Sequence, residues 1–501
     1  MAIHQAMTRN GMVSGVPGGN PGITVFKGIP YAAPPVGENR WRAPQPVKDW
    51  EGVRKADRFR GFCPQEEEQS PMFLRENPKP FEEMDEDCLY LNVWTPAHTQ
   101  DEKLPVVMWI HGGANVRGWG HQPSFDGEGF ARRGVILVTF NWRVNIFGWL
   151  AHPELSEENP DHISGNYGVL DQVAALHWIR DNIAAFGGDP DNITVAGESA
   201  GASSTMNLCC TPLTAGLFKH AVMQSGGGFD LFSSTMIPTL KMAEKTVDLK
   251  KCLQVDSIRE ARKLDAGEIV RRMSRPEAAG AYLPMQVVDG VVFDGTITDI
   301  CKAGNYHKID YIIGFTKDET GMYELPEDRE FFLKDVRDEY GAYADRYLEL
   351  CDFLKEDEAF RAHLKVRSAE QLKTGALVFA ELLEEQGHGP VYMYCFDRQL
   401  PGDDAGAYHS SELWYLFETL NRSWRPFTGK DFELSRAMAD YWCNFAKTGD
   451  PNGGELPLWE SYRKEDHRMM ELGLSIGMKD FGENDRVKFR KDFVMNSEKI
   501  L

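Results

Sequence analysis

A serine flanked at two residues' distance by glycines, Gly197-Glu198-Ser199-Ala200-Gly201, stands where the apolar run Ile193 to Ala196 gives way to small residues of helical period. A serine hydroxyl is exposed as a nucleophile when the backbone turns sharply from a strand into a helix, and the two glycines remove the clashes such a turn creates. The helix that follows directs its positive dipole end at developing negative charge. The chemistry suited to this arrangement is acyl transfer. The pattern alone recurs in long chains as a mere small-residue helix start, so the assignment needs partners elsewhere.

A tetrahedral intermediate requires preorganised N–H donors. His111-Gly112-Gly113-Ala114 follows the run Val106 to Ile110, and only small residues allow backbone to approach a substrate so closely. The N–H groups of Gly113, Ala114 and Ala200 are the candidate oxyanion donors. A base and an orienting acid must then follow the serine in the order acid, histidine. In an open α/β sheet they belong on loops at the carboxyl ends of strands. His220 falls in a helical stretch after the serine, His307 and His388 precede their strands, His363 lies in a charged helical run and His467 sits among tail charges. His409, in the loop after the strand Val391 to Phe396, has the required place. Glu319, just beyond the strand Tyr311 to Phe315 and shortly before Gly321, is the matching acid, with Asp318 its competitor.

These groups require a particular scaffold. Ile23 to Phe26, Tyr90 to Trp94, Val106 to Ile110 and Val135 to Phe140 read as strands, and Leu170, Val173, Leu176, Ile179 and Ile183 recur at helical spacing. Gly187-Gly188-Asp189-Pro190 is expected to break the chain before the strand Ile193 to Ala196. Strand, helix, strand in this order predicts an α/β fold, a large mostly parallel sheet flanked by helices. Two polar, helical stretches, at about 238–275 and 327–385, are expected as insertions over the site within a single domain spanning 1–501.

Composition sets the limits of function. A formal net charge of −21, from 76 acidic and 55 basic residues, repels polyanions, so neither nucleic acid nor an anionic membrane surface is an expected partner. No run of 18 apolar residues predicts a membrane anchor, and the first residues lack the pattern of a secretory signal, which points to the cytoplasm with a secreted form left open. Nine cysteines, an odd number with Cys209 and Cys210 adjacent, argue against a disulfide framework. Glu66 to Glu68 reads as a solvated acidic loop. The histidines show no metal-ligand spacing, and the chemistry calls for no cofactor.

The segment from Phe186 to Gly201, FGGDPDNITVAGESAG, resembles the serine signature of the type-B carboxylesterases, the carboxylesterase and cholinesterase family. Glu86 to Val93 (EDCLYLNV), Phe26 to Ala32 (FKGIPYA), Asn141-Trp-Arg143, Gln224-Ser225-Gly226 and Lys317 to Gly321 (KDETG) extend the resemblance from about residue 5 to about residue 453. It implies an α/β-hydrolase fold and a serine ester hydrolase, nearer to bacterial general carboxylesterases than to cholinesterases. It also implies Glu319 as triad acid, His409 of Gly406-Ala-Tyr-His409 as base, and Glu198 and Ser225 as neighbours that hold the histidine and its charge. Secreted relatives close a disulfide at the positions of Cys63 and Cys88, a pair a reducing cytosol would keep open. Small-molecule carboxylic esters are the expected substrates. An amidase or thioesterase on the same triad remains the alternative, and a non-catalytic binding homologue, which would lack a triad residue, is the remote one. Oligomeric state is not legible.

Overall fold

The computed structural model describes residues 2–67, 70–78, 82–229, 236–320 and 328–496; Glu68, Gly321 and position 327 fall outside them. Among the described residues an eleven-stranded sheet is built from β1 (Val16–Pro17), β2 (Thr24–Pro30), β3 (Tyr90–Thr95), β4 (Leu104–Ile110), β5 (Ile136–Phe140), β6 (Gly188–Glu198), β7 (His220–Gln224), β8 (Asp310–Thr316), β9 (Val391–Phe396), β10 (Arg468–Leu472) and β11 (Ile476–Asp480). Their spatial order is β11-β10-β9-β8-β7-β6-β4-β5-β3-β2-β1. Pairing is parallel from β10 through to β5 and antiparallel at both margins. Gln5–Thr8, Gly11–Ser14 and Val53–Lys55 form a separate small sheet.

Strand side chains alternate between two cores. Val106, Met108 and Ile110 of β4 pack into one, and Val107 and Trp109 into the other. The first core is closed by the helices α2 (Tyr167–Asn182), α3 (Ala200–Cys210) and α4 (Asp357–Glu385), the second by α5 (Gly429–Thr448). A sheet apolar on both faces buries about 25 cal/mol for each Å² removed from water, and this is the driving force for covering it with helices.

The structure departs from the sequence reading in two places. His220 opens β7 rather than lying in a helix: α3 ends at Cys210, and His-Ala-Val-Met-Gln is buried along its whole length between β6 and β8. A fully enclosed parallel strand has no alternation to betray it. The Gly188 to Asn192 segment is not a break before a strand but an irregularity within β6, since Gly188 pairs with Leu104 and Ile193 already with Val106. Only Gly187, at φ 82°, has turn geometry; a Cβ there would meet that of Ala97 at 2.3 Å.

The 240–273 segment folds into four short helices. Residues 329–385 hold α4 and shorter helices around a small core that includes Phe332, Tyr347 and Phe360 and is completed by Phe489 from the last helix.

Candidate active site

Four strands deliver the predicted residues to one edge of the sheet. Glu198, Gln224, Gly314 and Tyr394 are successive partners across β6, β7, β8 and β9, so the chain leaves these strands at nearly one level.

Ser199 follows β6 with φ 58° and ψ −128°, a conformation that strains any residue carrying a Cβ. The glycines around it are sterically required. A Cβ on Gly197 would lie 2.3 Å from the Gly201 carbonyl oxygen, and one on Gly201 would lie 2.1 Å from that of Ile110. The Ser199 N–H donates to the Gln224 carbonyl at 2.8 Å, which ties the turn to the neighbouring strand.

Beyond β4, Gly112 packs on the serine, its missing Cβ 2.9 Å from the Cβ of Ser199. Gly113 and Ala114 follow with φ 114° and 55°. Val116 and Arg117 donate to the Gly113 carbonyl at 3.0 Å, closing the loop. The N–H groups of Gly113, Ala114 and Ala200 have no acceptor among the described residues. His111 is fully buried, its imidazole pKa lowered to about 4 by desolvation, and its neutral ring places Nδ1 2.8 Å from the Gly112 carbonyl oxygen. It shapes the loop and takes no proton near neutral pH.

Glu319 and His409 meet directly, with Oε2 2.5 Å from Nδ1. The other carboxylate oxygen accepts from the Thr316 N–H at 2.8 Å, which orients Glu319 from the end of β8. Asp318 acts elsewhere, accepting from the Ala407 N–H at 2.9 Å, and a Cβ on Gly406 would lie 2.4 Å from its carboxylate. It holds the loop that carries the histidine, not the ring.

Nε2 of His409 lies 3.2 Å from Glu198 Oε1, and the Ser410 hydroxyl donates to the same oxygen at 2.7 Å. The Ser199 hydroxyl makes no hydrogen bond to the imidazole in this arrangement; the two side chains line one cavity, with the ring turned onto the carboxylate next to the serine. Burial raises the pKa of Glu198, opposed by the nearby imidazole. Ser225, just after β7 with φ 50°, has a buried hydroxyl with no partner among the described residues, so the expected hold on the histidine is not a direct contact there.

Glu412 is the participant the sequence reading missed. It is fully buried, and desolvation, reinforced by Glu198 and Glu319, pushes its carboxyl up to about 8. Gln224 donates to it at 3.2 Å and in turn accepts from the Trp442 indole at 3.0 Å. Its place three residues after His409 was the available signal. Among the other histidines, His220 sits at the opposite end of the sheet, its Nδ1 2.9 Å from Asp310, and His363 stacks on Phe353.

The cavity over Ser199 measures about 880 Å³. Phe73, Trp119, Phe125, Leu413 and Trp414 give it apolar walls, and the short helix α1 (Pro71–Glu76 in the fold, preceding β3) forms one side. Among the described residues, the two helical segments expected over the site do not supply this lining; Val270 and Met273 line a neighbouring cavity of about 290 Å³ instead. Among the described residues, Glu381, His467 and Glu483 are close enough to share a cation, but the Lys491 ammonium already bonds both carboxylates.

A serine on a strained strand-to-helix turn, backbone donors without acceptors among the described residues and a hydrogen-bonded Glu–His pair at the carboxyl edge of a parallel sheet are the arrangement of the α/β-hydrolase class. The match to the family model described as "Carboxylesterase family" spans residues 4–490, and the chain belongs to that family. It is 33% identical to the fumonisin B1 esterase of Sphingopyxis macrogoltabida over 94% of this chain and 86% of that one. It is 32% identical to the para-nitrobenzyl esterase of Bacillus subtilis (strain 168) over 93% and 94%. A solved carboxylesterase structure from Geobacillus stearothermophilus superposes with a TM-score of 0.79 at 33% identity, covering 99% of this chain and all of the other. The protein is an enzyme, a carboxylic ester hydrolase acting on small-molecule esters. Among the described residues no helix is long and apolar enough to cross a membrane.

Proposed function

We propose that Ser199, His409 and Glu319 form the catalytic triad and that hydrolysis runs through an acyl-enzyme. In this reading the imidazole leaves Glu198, takes the Ser199 proton as the hydroxyl attacks the ester carbonyl, and passes it to the departing alcohol. Catalytic hydrogen bonds often tighten only once substrate is bound, and the ring has the Glu198 side as its resting contact. Glu319 fixes the tautomer with Nε2 free to accept and stabilises the imidazolium. Gly113, Ala114 and Ala200 hold the oxyanion, and water activated by His409 then releases the acid. The observation that carries this reading is the 2.5 Å Glu319–His409 bond beside three backbone donors with no acceptor of their own.

The apolar walls favour an aryl or alkyl ester over a highly charged one. The relative named a para-nitrobenzyl esterase makes para-nitrobenzyl and short-chain aryl esters the natural probes. The expected outcome is turnover by the parent chain and a loss of about 10⁵- to 10⁶-fold in kcat for Ser199→Ala. Full activity in that variant would remove Ser199 from the mechanism. Matched ester, amide and thioester substrates, run in parallel, test the bond preference, and faster amide cleavage would overturn it.

A further inference from the structure

Residues 54–60 place four cations, Arg54, Lys55, Arg58 and Arg60, with one carboxylate, Asp57, on a chain whose net charge is −21. All five line a single concavity of about 530 Å³ where the strand Val53–Lys55 ends and the chain crosses beside β2, the backbone of Asp57 forming an isolated parallel bridge with that of Lys27. Among the described residues none of the four cationic groups lies within ion-pair distance of a carboxylate, and the buried Nε of Arg60 has no acceptor. This is unlike the treatment of arginine elsewhere in the molecule, where Arg40 is paired with Glu86, Arg143 with Asp171 and Arg425 with Glu76. The carboxylates in reach do not neutralise the group. Asp57 shares the wall, and Asp87, which Arg54 and Arg60 attract, is engaged by the Tyr90 hydroxyl at 2.9 Å. Arg54 and Arg60 rest against the rings of Trp50 and Tyr90, so two of the guanidinium planes are held by aromatic contacts.

We propose that this concavity is a binding site for a small phosphate-bearing anion of charge −2 or greater. Four cations set against fewer carboxylates repel one another, and a multivalent oxyanion relieves that repulsion while pairing with their accessible N–H groups. The guanidinium fork matches phosphate oxygens two at a time, and three such forks around one hollow exceed what a single carboxylate can use. The site shares no lining residue with the cavity over Ser199, so it is separate from ester hydrolysis.

The test is isothermal titration of the full chain with inorganic pyrophosphate, and in a second arm with citrate, at ionic strength fixed by sodium chloride. Saturable binding of pyrophosphate is expected, weakened about tenfold in Arg60→Gln and about a hundredfold in Arg58→Gln/Arg60→Gln. Aryl-ester turnover in the same variants should stay within about twofold of the parent, which shows that they are folded. Absence of saturable pyrophosphate binding, or equal affinity in the double variant, overturns the site. Citrate binding as tightly as pyrophosphate overturns its assignment to phosphate.

Discussion

Three buried carboxyl groups, Glu198, Glu319 and Glu412, surround one imidazole, and burial raises the carboxyls of Glu198 and Glu412. Glu198 has the His409 ring and the Ser410 hydroxyl to oppose its desolvation, so the proton falls to the group with fewer compensations. That group is Glu412, whose carboxyl is pushed up to about 8. Its folded value lies above its unfolded one, so the stability it contributes is complete below the ordinary glutamate range near 4.5 and is lost as pH rises towards about 8. Glu412→Gln, neutral at every pH, should therefore raise the melting temperature at pH 8 and leave it nearly unchanged at pH 4.5; an equal shift at both would contradict this. The residues we propose to react were legible as candidates because each sits in a short local pattern: the glycines around Ser199, the small residues after His111, the acid just beyond β8. Glu412 was not, since its role comes from Gln224 and Trp442, which only the fold brings to it.

At the level of elements, the short helix α1 is anchored by a charge pair hidden from water. The Arg425 side chain is fully buried against Glu76, with exposures of 0% and 3%, and it also holds Asp403, which Arg75 reaches from the helix. Arg425→Met leaves a buried carboxylate without its partner and should cost about 3–5 kcal/mol in denaturant unfolding. Adding Glu76→Leu should restore most of it, because removing both members of a buried pair costs far less than removing one. A single variant as stable as the parent would show that the pair is not what secures α1. The same scale explains the gaps in the sequence reading. β4 to β6 were visible as apolar runs, whereas β10 follows the charged stretch Arg463 to His467, and Gln5–Thr8 is a half-polar strand too short to show a period. The helical segments were recognised by period, but their placement was not, because period says which face is apolar and not what it covers.

Across the whole molecule, all nine cysteines are buried thiols outside any disulfide, and at Cys88 the contact with Cys63, then burial, raises the thiol well above its ordinary range. Thiolate is the reactive form, so burial suppresses both access and ionisation. A native sample treated with an aromatic disulfide reagent should release less than about one thiol equivalent over minutes and the full complement only in denaturant. Rapid release from the native chain would show that the interior opens far more readily than its packing implies. The overall α/β architecture was readable from strand order alone, since crossovers and twist leave few alternatives.

The rungs joining Glu198, Gln224, Gly314 and Tyr394 act as a gauge bar for positions that lie far apart in the chain. Slipping any one strand by a single residue would displace what it carries by about 3.3 Å and turn its side chains to the opposite face. Length changes in the connecting segments leave that gauge untouched. Natural variation and engineering can therefore remodel the walls around the substrate freely, while one inserted residue inside β6, β8 or β9 would disable the enzyme without altering any of the groups proposed to react.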